Sequence, residues 1–365
     1  MIRQAVERLH AFFINVRMKE IKTILFSLIA ILCLGNFSSC SSSDDNDGDG
    51  QLEIPQYAAD AAKYEITDAS SEVKSIELTE SGQYIVIMNN VGRNAKQTIG
   101  LHKIPATLTR ATSEYVGMYY GNYTKTDKDY FLLEDFGTVR INKDDNGSVA
   151  SVTIHSNKSG NEWTCPARLS PKTNTNNPLT DKICRTWNFK SVRYCVKMNG
   201  KAYFDYTASN YKELAVKMKE WAKSHPDEED GWTDEDEQEY NKMIEQADAY
   251  KLKQFIFSKS GTILIKREGT ESIGGMVWRW ADNNSNEIQT WLVDYDYNGN
   301  DKPDENEWSH ELFFGAGSDV QVGGKTTATF NNHGQLILEE SEKESDEGES
   351  YEQIMTLTFD EAKLR

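Results

Sequence analysis

Short runs of alternating apolar and polar residues, separated by turn signals, recur along this chain. Two such runs, Val73–Leu78 and Gln83–Met88, flank a turn that ends in glycine, which predicts a β-hairpin. The pair Asn146-Gly147 is a second hairpin signal. Alternation with a period of two residues is typical of strands with one buried face. The pattern predicts a mainly β fold that begins with a small β-rich domain at residues 53–168.

A second series of short strands follows a polar, proline-containing stretch at residues 166–180. Eight or nine strands in up-and-down order are predicted within residues 182–365. Their runs lie at 184–194, 254–258, 262–267, 274–280, 287–293, 311–314, 326–330, 335–338 and 353–359. A series of this length favours a closed antiparallel barrel, because closure removes the exposed edges of an open sheet.

Two amphipathic helices are predicted at about residues 208–252, after the first strand of this barrel. Ser209 is a candidate N-cap for the first helix and Thr233 for the second, and apolar residues recur at helical spacing behind each. The pair His225-Pro226 separates them, since proline interrupts a helix. The sequence therefore predicts a helical hairpin inserted into the barrel.

The second half of the chain resembles lipocalin-like domains. The residues that carry the resemblance are Thr186-Trp187-Asn188, which stand where such barrels have a first-strand tryptophan at the closed end, and the hairpin at 257–262. The resemblance covers about half the chain. It implies an antiparallel barrel with a mouth for a small ligand.

The residues at the beginning of the chain are arranged as in an export signal. An apolar run at residues 24–35 is shorter than the roughly 20 residues that a membrane-spanning helix needs. Small residues then precede Cys40, and this resembles a bacterial lipoprotein signal. The resemblance implies that residues 1–39 are removed and that Cys40 is lipidated, with palmitate among the acyl groups expected. Translation is predicted to start at Met18.

Residues 40–52 form an acidic stretch that we expect to be a solvated tether, because it has few apolar residues to bury. Its serines followed by Asp44, Asp45 and Asp47 resemble the surface-export signal of lipoproteins in one group of Gram-negative bacteria. That resemblance implies a lipid-anchored outer-membrane protein at the cell surface. The alternative is a generic acidic linker on the periplasmic leaflet.

The net charge and the lack of catalytic motifs in the sequence argue against a nucleic-acid-binding protein and against an enzyme. The chain has 58 acidic against 40 basic residues, a net charge of −18, which makes nucleic acid a poor partner. Its histidines are scattered without metal-ligand spacing, and no nucleophile motif is present. We therefore do not expect an enzyme.

An acidic loop near residue 300 is the candidate metal site, with calcium as the possible ion. Calcium takes six to eight oxygen ligands, and alternating carboxylates and amides followed by a late glutamate can supply them, as in the EF-hand-type loop that this segment resembles. A register that begins at Asp294 ends at Glu305, and one that begins at Asp296 ends at Glu307. The candidate ligands are Asp294, Asp296, Asn298, Asn300, Asp304, Glu305 and Glu307. The alternative is an acidic hairpin loop without an ion.

Three cysteines follow Cys40, and their pairing is open from the sequence. Cys184 and Cys195 flank one strand-like run and lie too far apart along a straight strand to bond. Cys165 with either partner is possible, as are three free thiols.

Three function classes fit these features. The first is a surface lipoprotein with a binding or accessory role, in which Trp278, Trp280 and Trp291 contact a small apolar ligand or a glycan. The second is a structural or interaction subunit of an outer-membrane assembly, with outer-membrane protein partners and a solid barrel. The third is a hydrolase of exported polymers. Outward-facing tryptophans at 278 and 280 favour the first class, and a pair buried in the barrel core favours the second.

Overall fold

The computed structural model consists mainly of two antiparallel β-barrels that follow one another along the chain. It describes residues 56–68, 70–88, 102–105, 115–157, 159–225, 231–249, 251–268, 273–291, 308–310, 324–346 and 349–362. The prediction of a mainly β fold with a closed antiparallel barrel is confirmed. The signal segment, Cys40, the acidic tether and the loop at 294–307 lie outside the described residues.

The first barrel contains nine strands, eight of which form a closed ring. They are β1 (Ala62–Ile66), β2 (Val73–Leu78), β3 (Gln83–Met88), β4 (His102–Pro105), β5 (Tyr115–Asp127), β6 (Tyr130–Leu133), β7 (Gly137–Lys143), β8 (Val149–Ser156) and β9 (Glu162–Leu169). Neighbouring strands pair in chain order, and β1 closes the ring by pairing with β9. Strand β3 pairs directly with β5, so β4 lies outside the ring as an additional partner of β5.

Side chains alternate between the two faces of each strand, so every second side chain points into the first barrel. Ile76 and Leu78 of β2 and Tyr84 and Val86 of β3 join one buried cluster, which the hydrophobic effect stabilises. The start of β7 requires glycine at position 137. A Cβ atom there would come within 1.9 Å of the His155 carbonyl oxygen.

The second barrel repeats the up-and-down order with eight strands in its ring. Its strands are β10 (Thr186–Met198), β11 (Lys201–Ala208), β12 (Leu252–Phe257), β13 (Thr262–Arg267), β14 (Ile273–Trp280), β15 (Glu287–Trp291), β16 (Lys325–Phe330), β17 (Leu336–Asp346) and β18 (Glu349–Glu361). Strand β18 pairs with β10 and closes the ring. The beginning of β10 pairs with β12 and its later part with β11.

Three helices accompany the second barrel: α1 (Thr180–Ile183), α2 (Tyr211–Ser224) and α3 (Asp234–Ala249). The N-cap of α2 is Asn210, whose side chain accepts from the Glu213 amide, and not Ser209 as the sequence predicted. Ser209 instead donates its hydroxyl to the Glu213 carboxylate. Thr233 caps α3 through its hydroxyl oxygen, which accepts from the Asp236 amide at 3.1 Å.

Helices α2 and α3 lie in the chain between β11 and β12 and bury their apolar faces on the second barrel. Leu214 and Met218 of α2 and Met243 of α3 belong to the same buried cluster as the barrel interior. The helices therefore extend the core of the barrel. Among the residues that the structure describes, no helix is long and apolar enough to cross a membrane.

The segment that joins the barrels is held on the second barrel by side-chain amides. Asn174 donates to the Trp278 carbonyl oxygen at 3.2 Å and accepts from the Trp280 amide at 3.1 Å. Asn177 donates to the carbonyl oxygens of Asp282 and Ser285. These bonds satisfy backbone groups at the end of β14 and in the turn that follows it, and they fix the segment that connects the two barrels.

The three cysteines outside the signal region are free and buried. Cys165 lies on β9, Cys184 directly after α1 and Cys195 on β10. Burial raises the pKa of the Cys184 thiol well above its usual value, which keeps it neutral.

Candidate functional site

The tryptophans at 278 and 280 lie in the core of the second barrel. Their rings contact each other nearly perpendicularly, with centroids 5.4 Å apart. The indole nitrogen of Trp278 donates to the Ser258 carbonyl oxygen at 3.1 Å, and that of Trp280 to the Thr180 hydroxyl at 2.9 Å. Both side chains are buried and their polar atoms are satisfied by the protein, which is the arrangement of structural tryptophans.

Trp291 lies on the opposite face of the sheet from these two. Strand pairing places Thr290 opposite Trp278, and both of these side chains are buried, so the next residue along β15 points away from the interior. Trp291 is nevertheless only 4% exposed. Its indole nitrogen has no hydrogen-bond partner among the described residues. The structure thus does not bring the three tryptophans together into one site.

The two ends of the acidic segment meet beside Trp291. Thr290 and Ser309 form an isolated antiparallel bridge, in which each amide donates to the other residue's carbonyl oxygen at 2.8 Å. The seven candidate ligands at 294–307 lie between these paired ends and outside the described residues. The bridge limits how far the ends of the loop can separate, which lowers the entropy cost of gathering its oxygens. The calcium site stays a prediction.

A row of polar side chains covers the outer surface next to this bridge, and we call it the outer-face patch. It consists of Arg279, Glu287, Gln289, Trp308 and His310. Arg279 donates to the Gln289 side-chain oxygen at 2.8 Å, and its guanidinium lies 4.2 Å from the centre of the Trp308 ring. The Gln289 amide nitrogen lies 3.1 Å from His310 Nε2.

The carboxylate of Glu287 anchors the patch electrostatically. It contacts His310 Nδ1 through one oxygen and Lys325 Nζ, at 3.1 Å, through the other. Burial raises the pKa of this carboxyl, but the hydrogen bonds from His310 and Lys325 outweigh that effect and hold the pKa below its usual value. Glu287 therefore stays ionised at neutral pH and orients the imidazole, which leaves His310 Nε2 next to Gln289.

This patch combines the half-buried indole of Trp308 and guanidinium of Arg279 with the exposed imidazole of His310, and the buried Gln289 side chain lies beneath them. Such groups recognise ligands that present both hydroxyl or carboxylate oxygens and a flat apolar face. The described residues contain no group of three or more His, Cys, Asp and Glu side chains suited to a metal ion.

Sequence reasoning found Trp291 in this region but not the patch itself. His310 and Lys325 lie 23 and 38 residues after Glu287, and only the pairing of β15 with β16 and with Ser309 makes them neighbours. One local signal was present. Glu287, Gln289 and Trp291 alternate along β15, which places them on one face of the sheet.

Comparison of the chain with protein-family models, with curated proteins and with solved structures found no match.

Proposed function

We propose that this protein is a lipid-anchored lipoprotein at the surface of the outer membrane, where it serves as an interaction subunit. Its anchor is the lipidated Cys40, and its partners are outer-membrane proteins that it contacts through its outer surfaces. The proposal rests on the signal-like segment, on the acidic tether and on the packing of the two barrels.

The observation that carries this proposal is the burial of Trp278 and Trp280 within the continuous core of the second barrel. Inward side chains of both barrels belong to tightly buried clusters. A barrel packed in this way supports recognition through its outer surface, since a carrier of apolar ligands needs room between its strands.

Site-specific photo-crosslinking on intact cells tests this function. The exposed apolar residues Leu132, Leu169 and Tyr203 are suitable positions for the crosslinker, since each presents apolar surface to a partner. Exposed charged positions, Glu162 and Lys242, serve as matched controls. We expect an adduct of defined mass with an outer-membrane protein from at least one apolar position.

Two results would contradict the proposal. One is the lack of any adduct from all three apolar positions in cells that display the protein. The other is saturable binding of a fluorescent fatty acid by the purified protein, with quenching of tryptophan fluorescence, because that requires an apolar cavity. The second result would favour a surface lipoprotein that binds a small apolar ligand.

A second candidate function, glycan binding, is favoured by the outer-face patch. Trp308 offers an aromatic ring, and Arg279 and His310, which the buried Gln289 side chain holds in place, offer hydrogen bonds beside it. A glycan array probed with the purified protein tests it, with Trp308→Ala as the variant and Tyr203→Ala as the control. Binding that Trp308→Ala removes and Tyr203→Ala retains supports glycan recognition. An array without signal, or a signal equal in both variants, contradicts it.

A further inference from the structure

The two barrels contact each other through equivalent hairpins. The turn between β2 and β3 reads Thr79-Glu80-Ser81-Gly82, and the turn between β12 and β13 reads Ser258-Lys259-Ser260-Gly261. Each hairpin joins the second and third strands of its ring, and both glycines have a positive φ. The two turns therefore have similar local geometry, and they contact each other where the Lys259 amide donates to the Glu80 carboxylate.

The centre of this contact is apolar. Ile85 and Ile87 of β3 form one buried cluster with Ile256 of β12 and Leu264 of β13. Outward positions of a barrel usually face water, so burial of these four side chains depends on the docking of one barrel against the other. The contact is therefore a true interface within the chain.

Two carboxylates lie buried at the edge of this apolar contact. Glu77 is 3% exposed and Glu80 is 2% exposed. Glu77 Oε2 accepts from the Thr262 hydroxyl at 2.8 Å, and Glu80 Oε2 accepts from the Lys259 amide at 3.2 Å. Both donors belong to the second barrel. The other oxygen of Glu77 is buried and has no hydrogen-bond partner among the described residues.

This arrangement is costly when both groups carry charge. A buried carboxylate needs compensating donors or a cation, and the ammonium of Lys63 lies 4.0 Å from Glu77 Oε2, at the outer limit of an ion pair. The ammonium of Lys259 pairs with Asp181. The two carboxylates at the interface are thus only partly neutralised by their surroundings.

We propose that the contact between the two barrels is a pH-responsive joint, which is closed while Glu80 carries a proton and loosens when Glu80 ionises next to Glu77. The joint lets the relative position of the two barrels respond to the acidity of the surrounding solution.

The pH dependence expected from Glu80 has the direction that this joint requires. Burial raises the pKa of Glu80 from 4.5 to about 7, and the Glu77 charge adds to the rise against the lowering effect of backbone amides and Lys172. A raised folded-state pKa means that docking binds a proton. Its stabilisation is fully present below about pH 4.5 and is lost as the pH rises through about 7. The titratable groups near Glu80 among the described residues are Glu77, Tyr123, Lys172, Asp181, Cys184 and Lys259.

Lys266 also affects the pH dependence of this interface, but only at higher pH than Glu80. It lies in the same contact, with its ammonium 4.6 Å from the centre of the Tyr120 ring, and burial lowers its pKa to about 8. A depressed lysine pKa contributes stability that appears only above that pH. Between about pH 5 and 7.5 Lys266 stays mostly protonated and adds little to the trend, so the difference between the wild type and Glu80→Gln in this window reports Glu80.

The test uses the full mature chain carrying Cys40→Ala, so that it is not lipidated, over about pH 5 to 7.5. We expect the wild-type interface to loosen as the pH rises, which increases the radius of gyration in small-angle X-ray scattering. The melting temperature should fall by about 5 °C over the same range. Glu80→Gln should remove both changes, because it cannot ionise. Glu77→Gln should move the transition to lower pH, because it removes the neighbouring charge.

The exposed Glu72 provides the matched control, and Glu72→Gln should retain the wild-type pH profile. The proposal is overturned if Glu80→Gln and the wild-type protein have the same pH profile in both measurements. It is also overturned if Glu77→Gln leaves the midpoint unmoved while the wild-type transition is present. Should Glu80→Gln fail to fold, the midpoint of Glu77→Gln alone decides between the two outcomes.

Discussion

The indole nitrogen of Trp187 donates a hydrogen bond to the carbonyl oxygen of Ile183 at 2.8 Å. This bond ties the first strand of the second barrel to the short helix α1 that precedes it. Trp187 is fully buried, and its ring contacts Phe330 of β16 with centroids 5.8 Å apart. The Trp187 side chain thus links helix α1, at the start of the second barrel, to strand β16 across the barrel interior.

Replacement of Trp187 should destabilise the second barrel strongly. Trp187→Ala leaves a cavity and should cost about 3–5 kcal/mol of unfolding free energy. Trp187→Phe keeps most of the ring but loses the hydrogen bond to Ile183, and we expect a cost of about 1–2 kcal/mol. Denaturation by urea measures both, with the exposed Tyr203→Ala as a control that should stay within about 0.5 kcal/mol. Equal stability of Trp187→Ala and Tyr203→Ala would contradict the role of Trp187 in the core.

Glu287 should stabilise the protein in a manner that depends on acid. Because the pKa of Glu287 is held below its usual 4.5, its contribution is present above that value and is lost as the pH falls through the lowered pKa. Glu287→Gln should therefore flatten the decline of the melting temperature below about pH 4.5. The exposed Glu162→Gln is the control and should keep the wild-type slope. Identical slopes in all three proteins would show that His310 and Lys325 do not interact with an ionised Glu287 in solution.

Calcium should raise the melting temperature if the acidic loop binds it. At a hundredfold excess over the dissociation constant, a bound ion stabilises the folded state by about 2.7 kcal/mol. Asp296 and Asn298 belong to both predicted registers, so replacing both with alanine should abolish the effect. Glu305→Gln and Glu307→Gln should distinguish the registers by which of them weakens it.

The control for the calcium experiment is magnesium, which prefers strict octahedral geometry and should stabilise the protein less. A melting temperature that millimolar calcium leaves unchanged, together with no ion retained after desalting, would make the segment between Thr290 and Ser309 an ordinary loop.

The proposed location of the protein on the outer membrane depends on residues before the first barrel. Cys40→Ala should release the protein from membranes, since the lipid is its expected anchor. Replacement of Asp44, Asp45 and Asp47 by alanine should leave the protein lipidated but protected from protease added to intact cells. Fractionation and protease shaving measure the two effects. Continued surface exposure of the triple variant would refute the export-signal interpretation.

Local patterns in the sequence predicted the hairpins well. The strands Val73–Leu78, Gln83–Met88 and Thr262–Arg267 have the bounds that alternation and the turn glycines indicate. Side-chain alternation and a positive φ at Gly82 and Gly261 are properties of neighbouring residues, so they can be recognised without knowledge of the rest of the fold.

Closure of the first barrel was not predicted, because it depends on contacts between distant residues. Strand β1 pairs with β9 through Tyr64 and Leu169, and their register is set by the shape of the whole ring. The N-cap of α2 differed from the prediction for a simpler reason. Ser209 and Asn210 are both good caps, and the backbone path out of β11 decided between them.

The sequence by itself determined the strand periods, the turn positions and the shared face of Trp278 and Trp280, because these follow from the geometry of adjacent residues. Only the tertiary structure decided that this face is the barrel interior, that Trp291 lies on the other side of the sheet, and that Glu287 meets His310. The same holds for the burial of Glu77 and Glu80, which depends on the second barrel. Burial and charge pairing depend on which surfaces meet in space, and residues far apart in the chain settle that through packing.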